Sequence, residues 1–230
     1  MAIIIDHRFL NRLLPTNNRP IKTLIIGTFN PAIPDKTKLN ETEGVQFHQI
    51  EASEKFKKFN EVRNFYDRPQ NRFWKIHDYY HNKEFYEKNE LEAKNPSGLK
   101  FYKGRGLTRD IVFERQQDYC EKSGVFITDI VTRIRPTSFC DIYDNFPDSA
   151  IEKSDCDWNT DGILNSFGLN RPNRIIVNFK VNEKQIPRIS KEINRIKKEF
   201  GDNVVTAYST SGAAGYTYLK LIENWGQYIQ

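Results

Sequence analysis

Asparagine, aspartate and aromatic residues gather in this chain where short apolar runs end. Four such places are Gly27-Thr-Phe-Asn-Pro31, Asp129 with the residues just after it, Asn178-Phe179, and Tyr208-Ser-Thr-Ser-Gly212. A fifth stretch, Asn64-Phe-Tyr-Asp-Arg-Pro-Gln-Asn-Arg-Phe-Trp74, interleaves aromatics, two arginines and amides. The chemistry open to these groups is bounded. An asparagine oxygen accepts a hydrogen bond but is not protonated near neutrality, so Asn30 or Asn71 can orient a water and cannot act as a strong base. Asp129, while ionised, accepts hydrogen bonds and donates none, which suits a ligand edge presenting an N–H. Asp67 is a further carboxylate, although an Asp before Arg-Pro ordinarily closes a turn or a surface ion pair. Backbone N–H groups of Ser209, Thr210 and Ser211, read as opening a helix, would hold an anion such as a phosphate, and Ser211 would equally cap that helix. Phe73 and Trp74 read as core. Each stretch alone is weak, because a Gly and a Pro after a strand usually mean a turn.

Parallel strands must position these groups. The run Lys22-Thr-Leu-Ile-Ile26, closed by Gly27, reads as a buried strand, and Val125-Phe-Ile-Thr128, Arg174-Ile-Ile-Val177 and Val204-Val-Thr-Ala207 are comparable. Helical patterns separate them. Thr108 is placed to cap a helix through about Lys122 with Gly124 as its end, and Thr160 another that stops at Gly168. Ile186, Ile189, Ile193, Ile196 and Phe200 form an apolar stripe at helical spacing, with Lys184, Arg188, Lys191, Arg195, Lys197 and Lys198 largely off it on a solvated face. This alternation predicts an α/β fold, a mostly parallel four-stranded sheet covered on both faces. In such a sheet ligands bind beyond the carboxyl ends of the strands, where the polar stretches fall. Residues 33–63 fit least well and read as an insertion within one domain spanning 1–230.

The 230 residues are 38% hydrophobic and 13% aromatic, with 16 Phe and 11 Tyr, so much of the core is aromatic. A net charge of +5 favours an anionic partner, yet 30 acidic residues among 35 basic ones dilute it. No apolar run reaches the roughly 20 residues a membrane span needs, and Met1–Ile5 is too short for a signal peptide, so the expectation is a cytoplasmic monomer. Cys120, Cys140 and Cys156 lack C-x-x-C spacing, which supports neither an iron–sulfur cluster nor a structural zinc and predicts free thiols.

The segment Phe65-Tyr-Asp-Arg-Pro-Gln-Asn-Arg-Phe-Trp74 resembles the aromatic-x-x-Pro-x-Asn-Arg-Phe-Trp signature of the mismatch-specific and hypoxanthine-DNA glycosylase branches of the uracil-DNA glycosylase superfamily. Leu24-Ile-Ile-Gly-Thr-Phe29 resembles the first strand and turn of the hypoxanthine branch. Gly124-Val-Phe-Ile-Thr-Asp129 is similar to the strand whose last residue reads the flipped base. Asp148-Ser-Ala-Ile151 is similar to a short segment later in that branch, and Tyr208-Ser-Thr-Ser-Gly-Ala-Ala214 to the loop that touches DNA. The matches keep the family's order from about residue 22 to the C-terminus. This chain has Gly212 where the hypoxanthine branch usually has proline, and its last loop lacks the histidine of the uracil-selective branch.

The resemblance implies a single three-layer α/β/α domain and a cofactor-free, metal-free hydrolysis of the bond from base to sugar in DNA carrying a deaminated base. Asn71, or alternatively Asn30, would position water. Tyr66, or Phe29 or Phe65, would stack on the flipped base, and Asp129 would read its edge. Ser209, Thr210, Ser211 and Arg72 would meet the DNA backbone. An acid at 129 tilts the reading from uracil towards hypoxanthine or a broader deaminated-base activity. Alternatives are a catalytically silent member that binds nucleic acid or a nucleobase, and an enzyme that cleaves free nucleosides.

Overall fold

The computed structural model describes residues 4–32, 62–67, 71–81, 109–136, 147–211 and 214–229. The 33–61 part of the expected insertion, Thr108 and Cys140 lie outside them. In chain order the elements are β1 (Ile5–Asp6), β2 (Thr23–Gly27), α1 (Phe73–His81), α2 (Arg109–Ser123), β3 (Val125–Asp129), β4 (Val131–Arg135), α3 (Asp148–Lys153), β5 (Asp155–Trp158), α4 (Thr160–Phe167), β6 (Arg174–Val177), α5 (Pro187–Phe200), β7 (Val204–Thr206) and α6 (Tyr218–Ile229).

The four expected strands form one sheet in the order β3-β2-β6-β7, and every pairing is parallel. Buried on both faces, β2 is apolar without alternation, as a central parallel strand must be. Leu24, Ile26, Ile175 and Val177 face one apolar cluster with α4 and the Ile189, Ile193, Ile196, Phe200 stripe of α5. Ile25, Ile127 and Ile176 face the other, which holds Phe73, Trp74 and Ile76 of α1 and Leu221, Ile222 and Trp225 of α6. Helices thus cover both faces, giving three layers. The basic residues of α5 serve the fold in part: Arg195 pairs with Glu192 and Asp161, and the Arg188 guanidinium donates to the carbonyls of Glu152 and Ser154.

A second, antiparallel sheet of order β1-β4-β5 was not anticipated. Only Ile130 separates β3 from β4, so the chain passes between sheets without the Gly or Pro that announces a turn. Two expected helix starts are corrected. The residue capping α4 is Asn159, with Thr160 buried inside the helix, and Asn159 gives its Nδ2 to Thr128 Oγ1 and the Asp129 carbonyl rather than to its own helix. Ser209–Ser211 do not open a helix either: α6 begins at Tyr218, where Thr217 Oγ1 accepts from the Lys220 N–H. Gly124 does end α2, in the left-handed conformation (φ +65°) that glycine adopts most readily. Its carbonyl receives the N–H groups of Lys22 and Thr23, which ties the start of β2 to the start of β3.

Cys120 and Cys156 are free thiols, and burial pushes them up to about 12 and about 11 respectively. Among the described residues no helix is long and apolar enough to cross a membrane, and no group of three or more His, Cys, Asp or Glu is arranged to hold a metal ion.

Candidate active site at the carboxyl end of the parallel sheet

From β2 the chain goes first to β3 on one side and later to β6 on the other, so the strand order reverses at β2. A crevice opens at such a switch point beyond the carboxyl ends. Gly27 to Asn30, Asp129 and Asn178 lie there.

Asp129 is fully buried at the end of β3, in register with Gly27 of β2. Its Oδ2 takes two hydrogen bonds, from Asn30 Nδ2 at 2.5 Å and from His7 Nε2 at 2.7 Å. The histidine tautomer is set by its other nitrogen. The Phe9 backbone N–H donates to Nδ1 at 2.9 Å, so Nδ1 is unprotonated and Nε2 carries the proton given to Asp129. Backbone pairing brings both donors here. His7 N–H bonds the Thr132 carbonyl, Arg8 N–H the Asn30 carbonyl and Ala32 N–H the Asp6 carbonyl, which lays residues 6–8 alongside 30–32. His7 had no signal in the sequence beyond its residue type, because its partner is 122 residues away.

Among the described residues Oδ1, the other carboxylate oxygen, has no hydrogen-bond partner, and it points at Gly27, as does the buried Tyr66 hydroxyl. Burial pushes the Tyr66 phenol well above its ordinary value and the Asp129 charge adds to this; the nearby Asn178 amide opposes it. That amide is itself turned to Thr210, giving Nδ2 to its Oγ1 and accepting its N–H, so the Tyr66 hydroxyl is left without a hydrogen bond of good geometry. Tyr66 stands at φ +57°, a left-handed backbone that a bulky side chain seldom adopts. Its neighbours hold it there: Asn64 Oδ1 accepts from the Phe65 N–H, Trp74 Nε1 donates to the Phe65 carbonyl, and the Asp67 N–H bonds the Asn64 carbonyl.

Phe29 and Phe65 are buried against the His7 ring, at centroid distances of 5.7 Å and 5.6 Å. Of the three aromatics expected to stack on a base, only Tyr66 is half-buried, and one face of its ring lies on Phe73 at 4.4 Å. Asn71 sits just before α1, and its Oδ1 accepts from the Phe73 N–H. Asp67 Oδ2 accepts from the Arg63 N–H, the turn role its sequence suggested.

Arg72 is buried, not turned outward. Its N–H bonds the Thr210 carbonyl, and its guanidinium donates to the carbonyls of Ser211 and Tyr216. The residue therefore shapes the 208–217 loop from beneath. In that loop the Thr210 N–H is taken by Asn178 and the Ser211 N–H by Ser209 Oγ. Ser211 and Tyr208 are exposed, and Tyr208 stacks on Tyr216 at 4.4 Å with rings nearly parallel. Beneath the loop, burial and the Arg72 charge bring Lys75 down to about 7.

Asp148, at the start of α3, is a carboxylate that the sequence motifs leave without a role. Burial raises its pKa, the hydrogen bond from Thr28 opposes this, and Glu152 and Asp129 add to the rise. A carboxyl raised in the folded protein contributes stability that is complete below its ordinary value of 3.8 and is lost as pH climbs through the folded value. Asp148→Asn should therefore melt higher than the parent at neutral pH, with the gap closing below that value. Thermal melts of both proteins from acid to neutral pH check this, and a gap that widens in acid would reverse the assignment.

Set against protein-family models, curated proteins and solved structures, the chain matches none.

Proposed function

We propose that this protein is a DNA glycosylase that flips a deaminated base, uracil or hypoxanthine, out of DNA and removes it by hydrolysis. One observation carries the reading. A buried carboxylate at the switch point of a parallel sheet is fixed by two donors on one oxygen and keeps the other unmatched, and the segments around it are those that carry the family resemblance. Buried unmatched polar atoms cost stability, and a binding or catalytic role is one reason a fold retains them.

In the proposed reaction the flipped base lies with its edge towards Asp129. A water held by Asn71 bonds through its oxygen to C1′ of the sugar as the C1′–N bond breaks. The base leaves with that electron pair and takes up a proton. Asn71 suits this better than Asn30, because the Asn30 amide is committed to Asp129. Its own oxygen holds the Phe73 N–H and has a second lone pair for the water. Arg72 holds the loop whose exposed Tyr208 and Ser211 meet the DNA backbone.

The experiment is base release from end-labelled oligonucleotides carrying one uracil, hypoxanthine or xanthine, in single strands and mismatched duplexes. Asn71→Ala should slow release about tenfold while leaving oligonucleotide binding intact. A catalytically silent, nucleobase-binding protein is the second reading, and it draws on the Asn71 oxygen being already engaged by Phe73. Binding without release from any substrate would select it.

A further inference from the structure

Residues 180–200 hold seven basic and three acidic residues, so four of the chain's net +5 lie on this one stretch. Its helix, α5, packs Ile189, Ile193, Ile196 and Phe200 on the sheet and leaves Lys191, Asn194, Arg195 and Lys198 exposed. The basic side chains share one face. Arg188, Lys191, Arg195 and Lys198 follow one another at steps of three and four, and Lys184 stands in the turn before them. A helix face kept only for solvation mixes charges of both signs at those steps, because like charges there repel. Here the acids are engaged elsewhere: Glu192 is buried against Arg195, Glu199 pairs with Arg171, and Glu183 accepts from the Asn194 amide. Arg188 and Arg195 are tied into the fold. The Lys184, Lys191 and Lys198 ammonium groups make no ion pair or hydrogen bond among the described residues.

A shallow, open groove of about 590 Å³ lies on this face, lined by Pro187, Lys191, Asn194, Arg195, Lys198 and the acid Glu183. No large apolar side chain lines it among the described residues, which argues against a protein partner: such interfaces are anchored by buried aromatic and apolar groups and are poor in lysine. A phosphate backbone needs no such anchor. It is held by charge, through ammonium groups that displace its counterions. Topology gives the face its place. Because α5 joins β6 to its parallel neighbour β7, it starts from the carboxyl ends of the strands, where the candidate site lies, and runs back about 21 Å towards their amino ends. We propose that the outer face of α5 is a sequence-independent docking surface for the phosphate backbone of a nucleic acid, with Lys191 and Lys198 as its chief contacts and Lys184 extending it towards the site. The proposal goes beyond the glycosylase reading and holds whether or not a base is released. Since the surface and the candidate site share one end of the sheet, a single nucleic acid can reach both, and the surface retains the strand without regard to its bases.

Binding of undamaged duplex oligonucleotides to the full chain, measured by fluorescence anisotropy over a series of salt concentrations, tests this. The variant Lys191→Gln with Lys198→Gln removes two charges and leaves the buried face of α5 intact. It should bind about tenfold or more weakly at low salt, and the slope of log affinity against log salt should flatten by about 2. Arginine at both positions should restore affinity and slope, and the glutamine variant should melt no lower than the parent, since like charges have been removed. The control, Lys22→Gln with Lys122→Gln, takes the same charge from the amino ends of β2 and β3 and should change neither. Unchanged binding by the glutamine variant, or an equal loss in the control, would overturn the surface. So would retained oligonucleotide affinity together with lysine-dependent binding to phosphatidylserine vesicles, which would make the face a membrane contact. Base release at saturating damaged oligonucleotide is measured beside these titrations. Lysine-dependent binding without release from any substrate leaves the surface standing and removes the glycosylase; release by a parent whose binding ignores both lysines removes the surface alone.

Discussion

Asp129→Asn should slow base release at least about a hundredfold while leaving the protein folded. The asparagine oxygen can take the place of Oδ2 and accept from both His7 Nε2 and Asn30 Nδ2, so the buried donors keep their acceptor. Its amino group then stands where Oδ1 was, a donor facing the N–H of the base, and attraction becomes repulsion. Asp129→Ala differs in kind. It strands two buried donors, and on the order of 3 kcal/mol of stability should go with them. Single-turnover release and urea midpoints on the two variants separate reading from support. If Asn at 129 releases base at the parental rate, the carboxylate is a brace and nothing more.

Arg72→Met should cost about 3–4 kcal/mol, large for one side chain in a protein of this size. A buried guanidinium in the motif segment donates to the carbonyls of Ser211 and Tyr216, and the same residue's backbone N–H holds the Thr210 carbonyl. Methionine fills similar volume but leaves the two guanidinium-bound carbonyls unmatched. Lysine should rescue little, because a single ammonium cannot span two acceptors as the planar fork does. Urea denaturation gives the magnitude, and faster amide exchange confined first to 208–217 would show that the clamp acts on that loop. A loss below about 1 kcal/mol would mean that the loop is held by its other contacts, such as the reciprocal Asn178–Thr210 pair.

The elements that could be read from sequence are those defined locally. Thr23–Gly27 and Arg174–Val177 are continuous apolar runs, and the stripe from Ile189 to Phe200 repeats within one helix, so neighbours in sequence carry the whole signal. The antiparallel sheet was not legible, since β1 is two residues long and exists only through β4. The site divides the same way. Strand-end logic found where Asp129, Asn30 and Asn178 would be, but not that Asn30 holds Asp129 or that Asn178 holds Thr210. His7 was invisible because an isolated histidine gains meaning only from a carboxylate far along the chain. Arg72 looked outward in the sequence, as arginines beside polar residues usually do, and is instead drawn in by two carbonyls of a distant loop.

Gly27 and Asp129 are cross-strand partners, and the absence of a side chain at one is what accommodates the carboxylate at the other. The two positions, with the Tyr66 hydroxyl, share a single parcel of volume, so a side chain at 27 cannot arrive without change at its neighbours. A descendant with alanine or serine at 27 would have to shorten or displace the side chains at both 129 and 66, and the buried acid would lose its place with the exchange. In any set of related chains, glycine at the first position should therefore accompany the acid at the second, and its loss would mark lineages that have abandoned the chemistry before any other motif has changed.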